Sequence, residues 1–219
     1  MKRILISVEG QTEETFVTKV LSPYLADFDV YLKPVILTTK RLPQGTKMKG
    51  GILSYKQVKR EIRILLQDTH TSLVTTMYDF YGLPHDFPGY DTMPAHNCFE
   101  RIKHVETEFE KEIQNRRFTP YLQLHEFETF LFVSPAVTAE MLFSGQNLCE
   151  KIQKIRDRYE TPEEINEGLE TAPSKRIQKL YPEYNKPLYG TLVAGTLGVE
   201  ALKLNCPHFN AWLTQLENV

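Results

Sequence analysis

The feature that most constrains this chain is the run Arg3-Ile4-Leu5-Ile6-Ser7-Val8, closed by Glu9-Gly10 and followed at once by Phe16, Val17, Val20 and Leu21 at helical spacing. A short apolar run rich in branched side chains is the pattern of a strand buried on both faces, the condition of strands in a parallel sheet. Parallel neighbours cannot be joined by a tight hairpin and need crossover segments, usually helices. Thr12 is placed to cap the first helix, and Glu13 and Glu14 fall in its first turn, where carboxylates suit the helix dipole. The strand-to-helix turn then lies at the carboxyl edge of the sheet, where ligand sites collect. Glu9 sits on the turn and Glu13 about one helical turn away.

Later segments repeat the arrangement. Val30 to Thr38 reads as a second strand, placed at an edge by Pro34. Leu73 to Tyr78 reads as a third and runs straight into Asp79, while Tyr121 to Leu124 reads as a fourth and runs into His125-Glu126-Phe127-Glu128. Buried strands that each end in a carboxylate set those carboxylates along one edge of a parallel sheet. Phe127, Phe130, Leu131 and Phe132 bury a helix start here, so Glu126 and Glu128 point in different directions; Glu126 is favoured for the site, with Glu128 as the alternative. His125 reads as a hydrogen-bonded structural residue in preference to a ligand, and so does His208, which has no ligand partner nearby in sequence.

Helices are expected over about Tyr55 to Gln67 and about Cys98 to Arg116, the second capped by Asn97. Ile102, Val105, Phe109 and Ile113 form its apolar stripe, whereas Glu100, Glu106, Glu108, Glu110 and Glu112 are expected to face solvent. From Pro135 onward helical periodicity continues without a further strand, and Cys206, Phe209, Trp212 and Leu213 should bury the last helix. The expected architecture is therefore α/β. Residues 1–134 form a mainly parallel four-stranded sheet flanked by helices, and residues 135–219 form a helical extension packed on it.

Charge and cysteine usage bound the function. There are 26 Lys plus Arg against 28 Asp plus Glu, a formal net charge of −2, so any surface for nucleic acid must be local. The basic stretch from Lys40 to Arg63, with Lys47 and Lys49 in its Gly-containing loop, is one such surface; a solvated loop and helix face has the same composition. Ser174, Lys175 and Arg176 set a hydroxyl and two cations at a helix start, which suits an anionic oxygen, although a capped helix with a basic first turn looks the same. Cys98, Cys149 and Cys206 are odd in number and far apart, as expected of free thiols in a reducing compartment such as the cytosol. Neither a signal peptide nor a run of about eighteen apolar residues is found, so membrane insertion is not expected.

Val8-Glu9-Gly10-Gln11-Thr12-Glu13-Glu14-Thr15-Phe16-Val17 closely resembles the VEGxTEExFV opening of the Toprim-like proteins of unknown function. Met77 to Pro84, Leu124 to Glu128, Ala172 to Arg176 and Cys206 to Phe209 look like that family's later motifs, in order. The resemblance implies a Toprim/Rossmann-like sheet and metal-dependent phosphodiester chemistry, as in topoisomerases, primases and the OLD-family nucleases. It assigns Glu9 an acid/base or metal-bridging role with Glu13 nearby, Asp79 and Glu126 metal binding, and Lys175 and Arg176 phosphate stabilisation. Toprim domains usually carry Asp-x-Asp where this chain has Asp79-Phe80-Tyr81, with Asp86 a weak substitute for the second acid. The carboxylates form an all-oxygen set suited to Mg2+ or Mn2+, and crowded carboxylates need a cation to neutralise them. Three functions follow: a nuclease, working in phage or mobile-element defence with an ATPase partner; a binding module that keeps the pocket for nucleotide or nucleic acid; or a small-molecule phosphohydrolase.

Overall fold

The computed structural model describes residues 1–37, 52–95, 97–166 and 168–219. Five parallel strands make the sheet: β1 (Lys2–Val8), β2 (Val30–Ile36), β3 (Leu73–Asp79), β4 (Phe118–Thr119) and β5 (Leu122–Gln123). Their order is β2-β1-β3-β4, with β5 also pairing β3, so β1 and β3 are the central strands and Pro34 falls on edge strand β2. Alternation along the central strands serves two cores. Ile4, Ile6 and Val8 point to one face with Leu73 and Met77, whereas Leu5 points to the other with Val74 and Tyr78.

The expected fourth strand, Tyr121 to Leu124, is found as β5 over Leu122–Gln123, and the short β4 precedes it. Pro120 has no amide hydrogen to continue a ladder, and the pairing breaks around it. Thr76 fills the gap with its side chain, donating from Oγ1 to Tyr121 O (2.8 Å) and accepting from Tyr121 N (3.0 Å). Leu122 N then donates to Glu106 Oε1 (2.8 Å), so Glu106 does not face solvent as expected but ties the sheet edge to its helix.

The first face is covered by α1 (Gln11–Phe16), which runs through a π turn (Val17–Leu21) into α2 (Ser22–Ala26). Gly10, not Thr12, stands at the N-cap of α1. The other face is covered by α3 (Tyr55–Leu65) and α4 (Cys98–Ile113), the latter capped by Asn97 as expected. A 3-10 segment (Phe127–Phe132) leads to α5 (Pro135–Met141), α6 (Gly145–Arg156) and α7 (Pro173–Leu180), which share a third cluster around Phe132, Ile152 and Ile177. After a second π turn (Lys186–Gly190), α8 (Thr191–Leu197), α9 (Val199–Asn205) and α10 (Pro207–Glu217) return to the first face and pack on β1 and α1. Gly198, at φ +77°, makes the corner between α8 and α9, a conformation L side chains resist. Among the described residues no strand follows Gln123, and no helix is long and apolar enough to cross a membrane.

Candidate functional site

Parallel pairing aligns the strand ends. Val8 lies opposite Met77, and Asp79 lies opposite Gln123, so Glu9, Asp79 and the segment after Leu124 leave the sheet at the same edge. Asp79 N donates to Glu9 Oε2 (3.3 Å), and Asp79 Oδ1 accepts from Phe127 N (2.8 Å), which pins the 3-10 segment to the end of β3. Glu13 reaches the same place from the first turn of α1, and Glu128 from the 3-10 segment.

The group at their centre is a lysine. Lys186 Nζ lies 3.0 Å from Asp79 Oδ2, 3.3 Å from Glu13 Oε1 and 3.4 Å from Glu128 Oε2. The three carboxylate side chains are 12%, 5% and 2% exposed, so the ammonium is held by acids that water barely reaches. Tyr184 OH donates to Glu128 Oε1 (3.4 Å), and Asn185 accepts from Leu188 N (3.3 Å), setting the start of the π turn that carries Lys186.

Burial is the main force on the proton affinities here. It lifts Glu9 to about 8, with the charges of Asp79 and Glu13 adding to it and Lys186 opposing. It lifts Glu128 to about 7 against the pull of Lys186, and raises Glu13 in the same way. Burial works to lower Lys186, but Asp79, Glu128 and Glu13 outweigh it and hold the ammonium pKa well above its ordinary value.

The structure separates the other predicted residues from this cluster. Glu126 turns to α7, where Ser174 N and Ser174 Oγ both donate to its carboxylate (2.9 Å each). The anion at the start of α7 is thus the protein's own, and Glu128, the alternative, is the one that meets Lys186. Arg176 is likewise committed: Nε donates to Thr171 O (2.6 Å), and Nη2 to Tyr159 OH and Asn166 Oδ1 (3.0 Å each). Lys175 is exposed on α7, and Lys47 and Lys49 lie outside the described residues. Asp86 caps α3 by accepting from Tyr55 N (3.0 and 3.1 Å), so it does not stand in for the second acid of Asp-x-Asp. His125 is buried at φ +60° with its carbonyl bonded by Tyr81 N (2.8 Å), and His208 Nε2 lies 3.1 Å from Glu106 Oε1.

Sequence reasoning missed Lys186. It lies 107 positions from Asp79, outside every motif. The one available signal was that crowded carboxylates need a cation, a need an ammonium meets as well as a metal does. Glu9, Glu13, Asp79 and Glu128 are all oxygen donors, which suits a hard divalent cation. Among the described residues no group of three or more His, Cys, Asp or Glu side chains is spaced to hold a metal ion as it stands. The donor chemistry fits Mg2+ or Mn2+, while the present spacing serves the Lys186 ammonium.

Among solved structures, the chain is similar to the C-terminal region of the Xanthomonas campestris pv. campestris OLD protein, at 16% identity and a TM-score of 0.43, over 100% of this chain and 95% of that one. No curated protein matches the chain. The family described as "Domain of unknown function (DUF4276)" matches residues 8–217, a span that holds all four clustered carboxylates and Lys186, and the chain belongs to that family.

Proposed function

We propose that this chain is a Toprim-like, divalent-metal-dependent phosphodiesterase acting on nucleic acid. The observation that carries this reading is the convergence of Glu13, Asp79 and Glu128 on one cation at the carboxyl edge of a parallel sheet, with Glu9 tied to Asp79 N beside them. Mg2+ or Mn2+ would be held by Glu9, Asp79 and Glu128, and when bound it would polarise a phosphate oxygen and offset charge at phosphorus. Glu9 supports a proton-transfer role, since a carboxyl held at about 8 can take or give a proton near neutral pH. Lys186 supports charge compensation: its ammonium, 3.0, 3.3 and 3.4 Å from three carboxylates, offsets part of their negative charge. Asp79 is held at both oxygens, by Phe127 N and Lys186 Nζ, so it is oriented before any ligand arrives. On the Toprim resemblance, the proposal extends to action in the cytosol beside an ATPase partner in phage or mobile-element defence.

A specific observation favours a second reading. Tyr81 occupies the position of the second Asp of Asp-x-Asp, and Lys186 neutralises the remaining acids without a metal. Loss of the second acid and partial compensation of the others by an ammonium both fit a module that has given up metal-dependent cleavage and retains binding alone.

Single-turnover cleavage of single-stranded DNA, duplex DNA and RNA, in magnesium and in manganese, decides between them. The Glu9→Gln protein should lose about two or more orders of magnitude in rate, the scale of a lost acid/base or charge-stabilising group. Full cleavage by Glu9→Gln sinks the mechanism, and tight binding without cleavage by the wild type establishes the second reading.

A further inference from the structure

The backbone leaving β3 continues its pairing beyond the carboxylates. Phe80 N donates to Gln123 O (2.9 Å) and Tyr81 N to His125 O (2.8 Å), which fixes both residues against the segment that carries Glu126 and Glu128. Gly82, at φ +92°, then turns the chain, and Leu83 N closes on Phe80 O (3.4 Å). Beside this turn lies a cavity of about 500 Å³ lined by Phe80, Tyr81, Leu83, His85, Tyr90 and Arg101. Two residues of extended chain span at most roughly 7 Å, so the backbone of Tyr81, a residue of the cavity wall, lies within that distance of the Asp79 backbone.

Its walls have one chemistry. Phe80 and Leu83, each 4% exposed, are buried, whereas Tyr81 and Tyr90 are half-buried and His85 is exposed, leaving aromatic surface open to solvent. The His85 ring meets Tyr90 edge-on at 4.9 Å, and the Arg101 guanidinium lies 5.6 Å from the Phe80 ring centroid. No carboxylate lines the cavity among the described residues; Asp91 pairs with His85 (3.6 Å) outside it. A second cavity of about 540 Å³, between α4 and α10, also has aromatic walls. There, however, Trp212 Nε1 is bonded to Thr75 Oγ1 (2.9 Å) and His208 to Glu106, so the polar groups of its aromatic wall already serve the fold.

Flat π surfaces with a planar cation, a short step along the chain from where the phosphodiester reading places a phosphate, form the combination that takes up unpaired bases. We infer that the Phe80–Arg101 cavity is a stacking site for an unpaired nucleobase, adjacent to the phosphate held at the Glu9–Asp79–Lys186 cluster. The substrate class is then single-stranded nucleic acid, or a strand with a splayed base, because a paired base must leave its stack to enter. This rests on the phosphodiester reading of the cluster. It also gives a use to the departure at Asp79-Phe80-Tyr81: where the resemblance calls for a second carboxylate, Tyr81 supplies a ring to the cavity wall.

The test is binding by fluorescence anisotropy with the full chain, in EDTA and in magnesium, using short single-stranded DNA and RNA, the same strands with abasic central residues, and duplex. Wild type should bind intact single strands about tenfold or more tighter than abasic strands, the scale of one lost base stack. Paired Tyr81→Ala and Tyr90→Ala should remove that preference, and Tyr81→Phe should retain it. Equal affinity of wild type for intact and abasic strands overturns the inference without need of a variant that must fold. Cleavage separates the two readings. A base-dependent binder that never cleaves leaves the cavity standing and removes the nuclease, whereas a nuclease indifferent to abasic strands leaves the cluster standing and removes the cavity.

Discussion

Lys186 is the residue on which the cluster depends. Its ammonium is the only cation that the described contacts place among Asp79, Glu13 and Glu128. Removing one partner from a buried charge group leaves the others uncompensated. Lys186→Met should destabilise the protein by about 3 kcal/mol, the low end of the range for a buried pair because the lysine is 31% exposed; urea denaturation near neutral pH measures it. The pH dependence has a definite sign. Glu9 and Glu128 are raised from an ordinary 4.5 to about 8 and about 7, so between about 4.5 and 8 the folded state binds more protons than the unfolded. Their contribution to stability is therefore full below about 4.5 and is lost as pH rises through 7 to 8. A bound divalent cation should reverse this by favouring the ionised acids, so thermal stabilisation by Mg2+ or Mn2+ should grow over the same window and be accompanied by proton release. Metal-induced melting shifts recorded at pH 6 and pH 8 test both signs, and a larger shift at the lower pH would refute the assignment.

Among the elements, the helix starts account for the acids that sequence reasoning had placed in the site. The first turn of α7 has free amides that an anion satisfies, and Glu126 is that anion. The start of α3 has the same need, met by Asp86. Ser174→Ala should cost about 1.5 kcal/mol, since a hydrogen bond to a charged group is lost. Asp86→Ala should cost about 1 kcal/mol, the worth of a helix cap, and leave metal-induced stabilisation unchanged. Chemical denaturation of both variants, with and without manganese, checks these values. Loss of the metal response in Asp86→Ala would return that residue to the site.

At the scale of the whole molecule, the carboxy-terminal helices are part of the sheet's core. Trp212 on α10 stacks on Tyr121 at 4.2 Å and 16°, and its Nε1 donates to Thr75 Oγ1 on β3 (2.9 Å). Phe209 lies in the same cluster as Ile4 and Phe16. Truncating a large buried aromatic costs about 3–5 kcal/mol, so Trp212→Ala should lower stability by that amount. Unfolding of the wild type followed by tryptophan fluorescence and by circular dichroism should trace one coincident transition. Two separate transitions would show that α10 and the sheet unfold independently.

The strand-and-helix order was legible in the sequence because periodicity is local. Ile4 to Val8 and Leu73 to Tyr78 carry the branched, apolar signal of two-sided burial, and the carboxylates that end them follow from where parallel strands must stop. Glu9, Glu13 and Asp79 could be named for that reason. Which way Glu126 and Glu128 turn could not, because the choice depends on α7 arriving with unsatisfied amides and on Tyr184 and Lys186 arriving from the far side. The edge role of Glu106 and the capping role of Asp86 were hidden in the same way: each is a carboxylate satisfied by a backbone amide distant in sequence. Above all, the counter-cation came from a π turn 107 residues beyond Asp79, so local pattern identified the acids that needed charge, and only tertiary structure decided that Lys186 would supply it.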